Sequence, residues 1–84
     1  MSTKIHVGNM PPTVSEDDLK STFGKFGQVE TVQIARDSST GLRRGDAIVA
    51  MSSDRDAVAA IGSLNSTTYA GRTIAVSRSP QEDT

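Results

Sequence analysis

The stretch Arg43-Arg44-Gly45-Asp46-Ala47-Ile48-Val49-Ala50-Met51 decides how the rest of this chain is read. Ile48 and Val49 are β-branched and lie among small and apolar residues, a composition that suits a half-buried strand. Just ahead of it, Val29 to Arg36 roughly alternates, with Val32 and Ile34 facing one way and Thr31, Gln33 and Ala35 the other. Between the two runs lies a polar turn, Asp37-Ser38-Ser39-Thr40-Gly41. Two such strands joined by a short glycine-containing loop form an antiparallel hairpin.

Working outward, Lys4 to Gly8 alternates as well, Ile5 and Val7 on one side and His6 on the other, and Pro11-Pro12 ends that strand. Ser15 starts a helix: its hydroxyl can cap the amide of Asp18, and Asp18 can return the bond. Glu16, Asp17 and Asp18 occupy the first turn, where the helix dipole favours negative charge. Val14 and Leu19 have the spacing of a hydrophobic staple, and Leu19, Phe23 and Phe26 share a face that runs to Gly27. After the hairpin, Ser53 and Asp56 repeat the capping pattern. Ala57, Ala60, Ile61 and Leu64 then form a helical stripe, with Gly62 weakening its end. Gly71 marks a turn, and Arg72 to Arg78 alternates with Ile74 and Val76 inward. The order predicts an α+β, ferredoxin-like β-α-β-β-α-β sandwich: a four-stranded antiparallel sheet with two helices on one face. Residues 1–78 are expected to form the domain and 79–84 a polar tail.

A chain of 84 residues is one domain. At this size folding buries only ~60% of the surface the unfolded chain exposes. The absence of cysteine excludes a disulfide scaffold, a thiol nucleophile and a CxxC metal site. His6 is the single histidine and makes a poor metal site alone, so no metal or cofactor is expected. No run is apolar and long enough to span a membrane, and the N-terminus lacks the hydrophobic stretch of a signal peptide. An intracellular protein is expected, in cytoplasm or nucleus. The Met1 start and short tail fit either a complete small protein or part of a larger one.

Three local patterns narrow the fold to a family. Ile5-His6-Val7-Gly8-Asn9-Met10 resembles the short first-strand motif of RNA recognition motif (RRM) domains. The turn and strand from Asp37 to Met51, with Thr40-Gly41 and Arg44-Gly45, resembles that family's second motif and the hairpin before it. Ala60-Ile61, Leu64-Asn65 and Gly71-Arg72-Thr73-Ile74-Ala75-Val76 resemble its second helix and last strand. The resemblance runs from about Lys4 to Arg78. It implies single-stranded RNA as partner, with single-stranded DNA a related ligand, bound across the open sheet face by aromatic side chains that stack on bases.

In that frame the three stacking positions fall on His6, Asp46 and Ile48, so only one carries a flat ring. The other aromatics, Phe23, Phe26 and Tyr69, do not map to the face. Stacking contributes ~1–3 kcal/mol per base, so two lost platforms weaken binding by ~2–6 kcal/mol where the contributions add. A Lys-Gly-acid opening similar to Arg44-Gly45-Asp46 occurs in the RRM of the FET family, which is associated with RNA binding through other contacts. The net charge of −1 argues against a strongly basic binder. Yet six of the nine basic residues, Lys4, Arg36, Arg43, Arg44, Arg72 and Arg78, are expected on the sheet face, its edges or the hairpin loop. Most acids sit at helix starts or in the tail, with Glu30, Asp37 and Asp46 the exceptions. Phosphate contacts from such a stripe are salt-sensitive. Gln33, facing outward, and Ser77 with Arg78 at the last strand's end complete the expected RNA-binding set.

Each of these has a plainer reading beside it. His6 suits an exposed strand position, and Arg43 and Arg44 suit a solvated hairpin end. Ile48, Ala50, Ala35 and Ala75 would give the face a small apolar patch that fits a protein contact. The leading expectation is a monomeric, non-enzymatic RNA binder of low affinity and little sequence preference. The alternative is a domain of this type that binds protein or self-associates. The peptide-binding mode of some relatives needs an Arg-x-Phe segment, where this chain has Thr68-Tyr69-Ala70-Gly71-Arg72. Acylphosphatases share the strand order, but Gly8-Asn9-Met10-Pro11-Pro12 makes a poor phosphate cradle because two prolines remove donors. Arg44-Gly45-Asp46 at a strand start is not an adhesion loop.

Overall fold

The structure is a computed structural model that describes residues 3–11, 13–36, 39–41, 43–69 and 71–79, with residues 43 and 44 described in their backbone only. The elements run β1 (Thr3–Gly8), α1 (Glu16–Gly24), β2 (Val29–Arg36), β3 (Arg43–Met51), α2 (Asp54–Leu64), β4 (Thr68–Tyr69), β5 (Arg72–Thr73) and β6 (Ala75–Arg78). Four strands form an antiparallel sheet, as the sequence pattern predicts, and their order is β2-β3-β1-β6. Both helices cover one face. Leu19 and Phe23 from α1 and Ala57 and Ala60 from α2 join Ile5, Val7, Val49, Met51 and Val76 in one buried cluster. Among the described residues, the opposite face carries no helix.

The helix starts follow their capping chemistry. Asp18 N–H donates to Ser15 Oγ at 3.1 Å and Ser15 N–H donates to Asp18 Oδ2 at 3.0 Å, a reciprocal box. Val14 and Leu19 are both buried beside it, as a staple requires. In α2 Ser53 Oγ accepts from Asp56 N–H at 3.4 Å. The end of α1 differs from expectation. It stops at Gly24, and Phe26 lies beyond it, its N–H donating to Phe23 O at 3.0 Å. Gly24 is a weak helix former, and the tightened i→i−3 turn still carries Phe26 against the core. Gly27 serves packing instead: a Cβ there would overlap the Asp56 carboxylate.

The expected continuous strand from Arg72 to Arg78 is also corrected. Arg72–Thr73 pairs with Thr68–Tyr69 in a separate small hairpin around Gly71, whose φ is +88°. Ile74 N–H donates to Thr67 O and Ser66 N–H to Ile74 O, so the chain changes partners at Ile74 before β6 pairs with β1. Ser79 N–H still donates to Lys4 O at 2.9 Å, so pairing reaches the first residue of the expected tail, and residues 80–84 lie outside the described residues.

Gly45 ties the hairpin to the loop after β1. Its carbonyl accepts from Met10 N–H at 2.8 Å, its φ is +89°, and a Cβ on it would stand 2.8 Å from Met10 O. A side chain is therefore opposed twice, by backbone conformation and by contact. Gly45→Ala is expected to destabilise the fold by about 1–3 kcal/mol from backbone conformation alone. Urea unfolding followed by circular dichroism measures it, and an unchanged midpoint would show that this crossing does not hold β3 in place.

Candidate nucleic-acid interface

Antiparallel register converts the alternation of each strand into a surface. Ile5 and Val7 go to the core, which leaves Lys4, His6 and Gly8 on the helix-free face. His6 stands opposite Ile48 on β3 and Ser77 on β6, and Ile48 stands opposite Gln33 on β2. One row, Gln33–Ile48–His6–Ser77, thus crosses all four strands. A second row holds Thr31, Ala50 and Lys4, and Gly8 faces Ala75 in a third. Asp46 precedes core-facing Ala47, so it shares the open face and sits diagonally from His6.

The two polar groups at the centre meet. His6 Nε2 lies 3.4 Å from Asp46 Oδ2, with the imidazole side chain 41% exposed and the carboxylate side chain 26% exposed. Asp46 Oδ1 is shielded from solvent and has no hydrogen-bond partner among the described residues. The His6 ring also borders Gly8, where a Cβ would lie 3.3 Å from Cε1. Glycine there keeps the floor beside the ring low. Ile48 is half-buried, and with Gln33, Ile34, Ala35 and Glu16 it lines a recess of about 420 Å³ at the β2 edge.

The remaining expected site residues divide. Lys4 and Gln33 are exposed on the open face. Arg36 is exposed at the end of β2 and its Nη1 donates to Gly41 O at 3.3 Å, bracing the hairpin loop. The backbones of Arg43 and Arg44 begin β3, with Arg43 opposite Arg36, while their side chains lie outside what the structure describes. Arg72 is exposed on the small hairpin and not in the main sheet. Arg78 stands opposite core-facing Ile5, so its side chain leaves the open face. Its Nη1 donates to Asp54 Oδ1 at 2.8 Å, at the start of α2. Of the expected locations, face, edge or hairpin loop, Arg78 takes the edge strand, with its side chain on the helix side. The apolar patch is also smaller than expected: Ala50 is 4% exposed, and His6 stands between Ile48 and β6, the strand of Ala75.

Two contributors escaped the sequence reading. Gly8 shares the face of His6, which alternation alone could have signalled. Asn9 adopts φ +62° and donates through Nδ2 to Thr73 O at 2.7 Å, tying the end of β1 to the small hairpin. Nothing in the local sequence announces that 64-residue separation.

Comparison with known proteins agrees with this geometry. The RNA recognition motif pattern matches residues 5–75. The chain belongs to the RNA recognition motif family. It is 39% identical over 80 residues to RbpB of Nostoc sp., named a putative RNA-binding protein, covering 94% of this chain and 78% of that one. RbpA of Synechocystis sp., named in the same way, is 38% identical with 94% and 79% covered. Among solved structures, RNA binding protein PG1 superposes with a TM-score of 0.91 at 30% identity, covering 98% of this chain and 99% of that one. In this RRM the three residues expected at stacking positions, His6, Asp46 and Ile48, are neighbours on the open face.

The Arg78–Asp54 pair has a consequence in acid. Hydrogen bonds from Arg78 and then Thr3 hold the Asp54 carboxyl below its usual value of 3.8. A carboxyl lowered on folding stabilises the protein above its unfolded value and loses that contribution as pH falls through the folded one. Asp54→Asn is expected to lower stability slightly at neutral pH, with the gap to the parent closing below about pH 4. Thermal melts between neutral and acid pH check this, and a gap independent of pH would assign the loss to something other than ionisation.

Proposed function

We propose that this RRM binds single-stranded RNA across its open sheet face, as a non-enzymatic, monomeric module. The observation that carries the reading is the row Gln33–Ile48–His6–Ser77, which crosses all four strands on the face both helices leave bare. An open sheet face is the platform on which this family lays unstacked bases, against flat side chains that stack and polar ones that bond base edges, and His6, Gln33 and Ser77 supply these here. The names of the relatives support the ligand class.

Binding is weak because two stacking positions hold Asp46 and Ile48. A half-buried isoleucine offers a base apolar contact without a π-face. A carboxylate repels phosphate. Lys4 and Arg36, both exposed, supply positive charge on and beside the face, so part of the affinity is electrostatic and falls with salt. An enzymatic reading of the loop after β1 finds no support, since Met10 N–H is already given to Gly45 O. The intracellular setting belongs to the same proposal.

An amide NMR titration with a mixed pool of short single-stranded RNAs, at low and then moderate salt, tests the proposal. Shifts at His6, Gln33, Ile48 and Ser77 that shrink with salt are expected. Absence of shifts at millimolar RNA and low salt would overturn it. Asp46→Phe, which restores a ring and removes a charge, is expected to tighten binding by ~1–3 kcal/mol.

A further inference from the structure

Asp46 is poorly satisfied where it stands. Among the described residues, Oδ1 is shielded and unpartnered, and Oδ2 has a single contact, the long 3.4 Å one to His6 Nε2. An N–H···O bond normally closes to about 2.9–3.0 Å, and a buried oxygen without a donor is costly. The carboxylate is nevertheless a quarter exposed and sits at the centre of the open face, beside a ring and the low floor of Gly8.

We infer that Asp46 reads guanine. It accepts hydrogen bonds from N1–H and the 2-amino group of a guanine whose face lies against the His6 ring. This rests on the reading of the open face as an RNA platform and adds a base preference to it. An ionised carboxylate can only accept. Guanine alone among the four bases places two donors side by side on its Watson–Crick edge. Adenine and cytosine set a ring-nitrogen acceptor beside their amine, and uracil flanks its N–H with two carbonyl oxygens. Each of the other three therefore presents at least one acceptor to the carboxylate oxygens.

Turning toward such a base exchanges one long contact for two charge-assisted bonds, takes Oδ1 out of unpaired burial and frees the imidazole to stack. Gln33 and Ser77, in the same row as His6, each carry both a donor and an acceptor, so they accommodate any base. Among the described residues around His6, Asp46 is the group that is acceptor only, and discrimination for a donor-rich edge falls to it. The same replacement that removes a stacking ring thus installs a reader, and this position departs from the low sequence preference expected of a ringless sheet.

The test is fluorescence anisotropy at low salt with short oligouridylates carrying one central guanosine, inosine, adenosine or no substitution. The parent chain is expected to bind the guanosine oligomer about tenfold tighter than plain oligouridylate, a difference of ~1.4 kcal/mol. Inosine, which keeps N1–H and lacks the 2-amino group, falls between. Asp46→Asn, nearly isosteric, offers one donor and one acceptor, so the guanosine advantage vanishes and adenosine gains. Equal affinity of the parent chain for all four oligomers would overturn the inference and leave RNA binding standing. A guanosine advantage that survives in Asp46→Asn would also overturn it, placing the reader elsewhere. No binding of any oligomer would remove the platform reading and this inference together.

Discussion

The pairing of β1 with β3 is the constraint on which the rest of the molecule depends. Ile5 faces Val49 and Val7 faces Ala47 on the core side, while His6 faces Ile48 on the other. Because the side-chain period of a strand is two, a slip of one residue would send His6 into the core and Ile5 into solvent. Register is held at one end by the Met10 N–H to Gly45 O bond at 2.8 Å. The glycine that permits this crossing belongs to β3, so the same short stretch fixes the pairing and presents the face.

The helix side explains why that pairing is strong enough to hold a bare surface. Phe23, Leu19, Met51 and Met10 are among the largest fully buried side chains, and they gather against β1 and β3, the two central strands. A small domain has little apolar area to bury, and here it is concentrated on one side of the sheet. The open side contributes little burial: Ile48 is half-buried and Ala50 is small. Stability therefore rests mainly on the helix face, which frees the opposite residues to be chosen for contact with a ligand. That separation accounts for Asp46 Oδ1, an oxygen unpaired among the described residues, being tolerated on a fold of modest size.

Much of this was legible in the sequence, and the reasons are local. The capping box of Ser15 and Asp18, the alternation of Lys4 to Gly8 and the hairpin around Gly41 all express interactions within a few residues. What escaped was long-range. The end of α1 is set by a tightened turn that folds Phe26 onto the core, a choice made by packing rather than by the helical period. The break at Ile74 follows from its bonds to Thr67 and Ser66, which pull the chain into a second hairpin. The side taken by Arg78 was not legible because it depends on register with β1, through Ile5, and on a partner, Asp54, 24 residues away. The stacking positions could be mapped from motif resemblance, but the contact of His6 with Asp46 could not, because it joins strands 40 residues apart.

The placement of Arg78 bears on how charge is used across the molecule. Its pairing with Asp54 turns one of the nine basic side chains away from the open face while leaving the net charge at −1. Lys4 remains on that face and Arg36 at its edge, both exposed, and Asp46 stands on β3, beside His6. A ligand that brings only phosphate gains from the first two and loses at the third. A ligand that brings phosphate together with a donor-rich base edge gains at all three. On the proposed reading of Asp46, such an arrangement weights recognition toward base identity where a ring-bearing sheet would weight it toward stacking, through a carboxylate whose Oδ1 has no hydrogen-bond partner among the described residues.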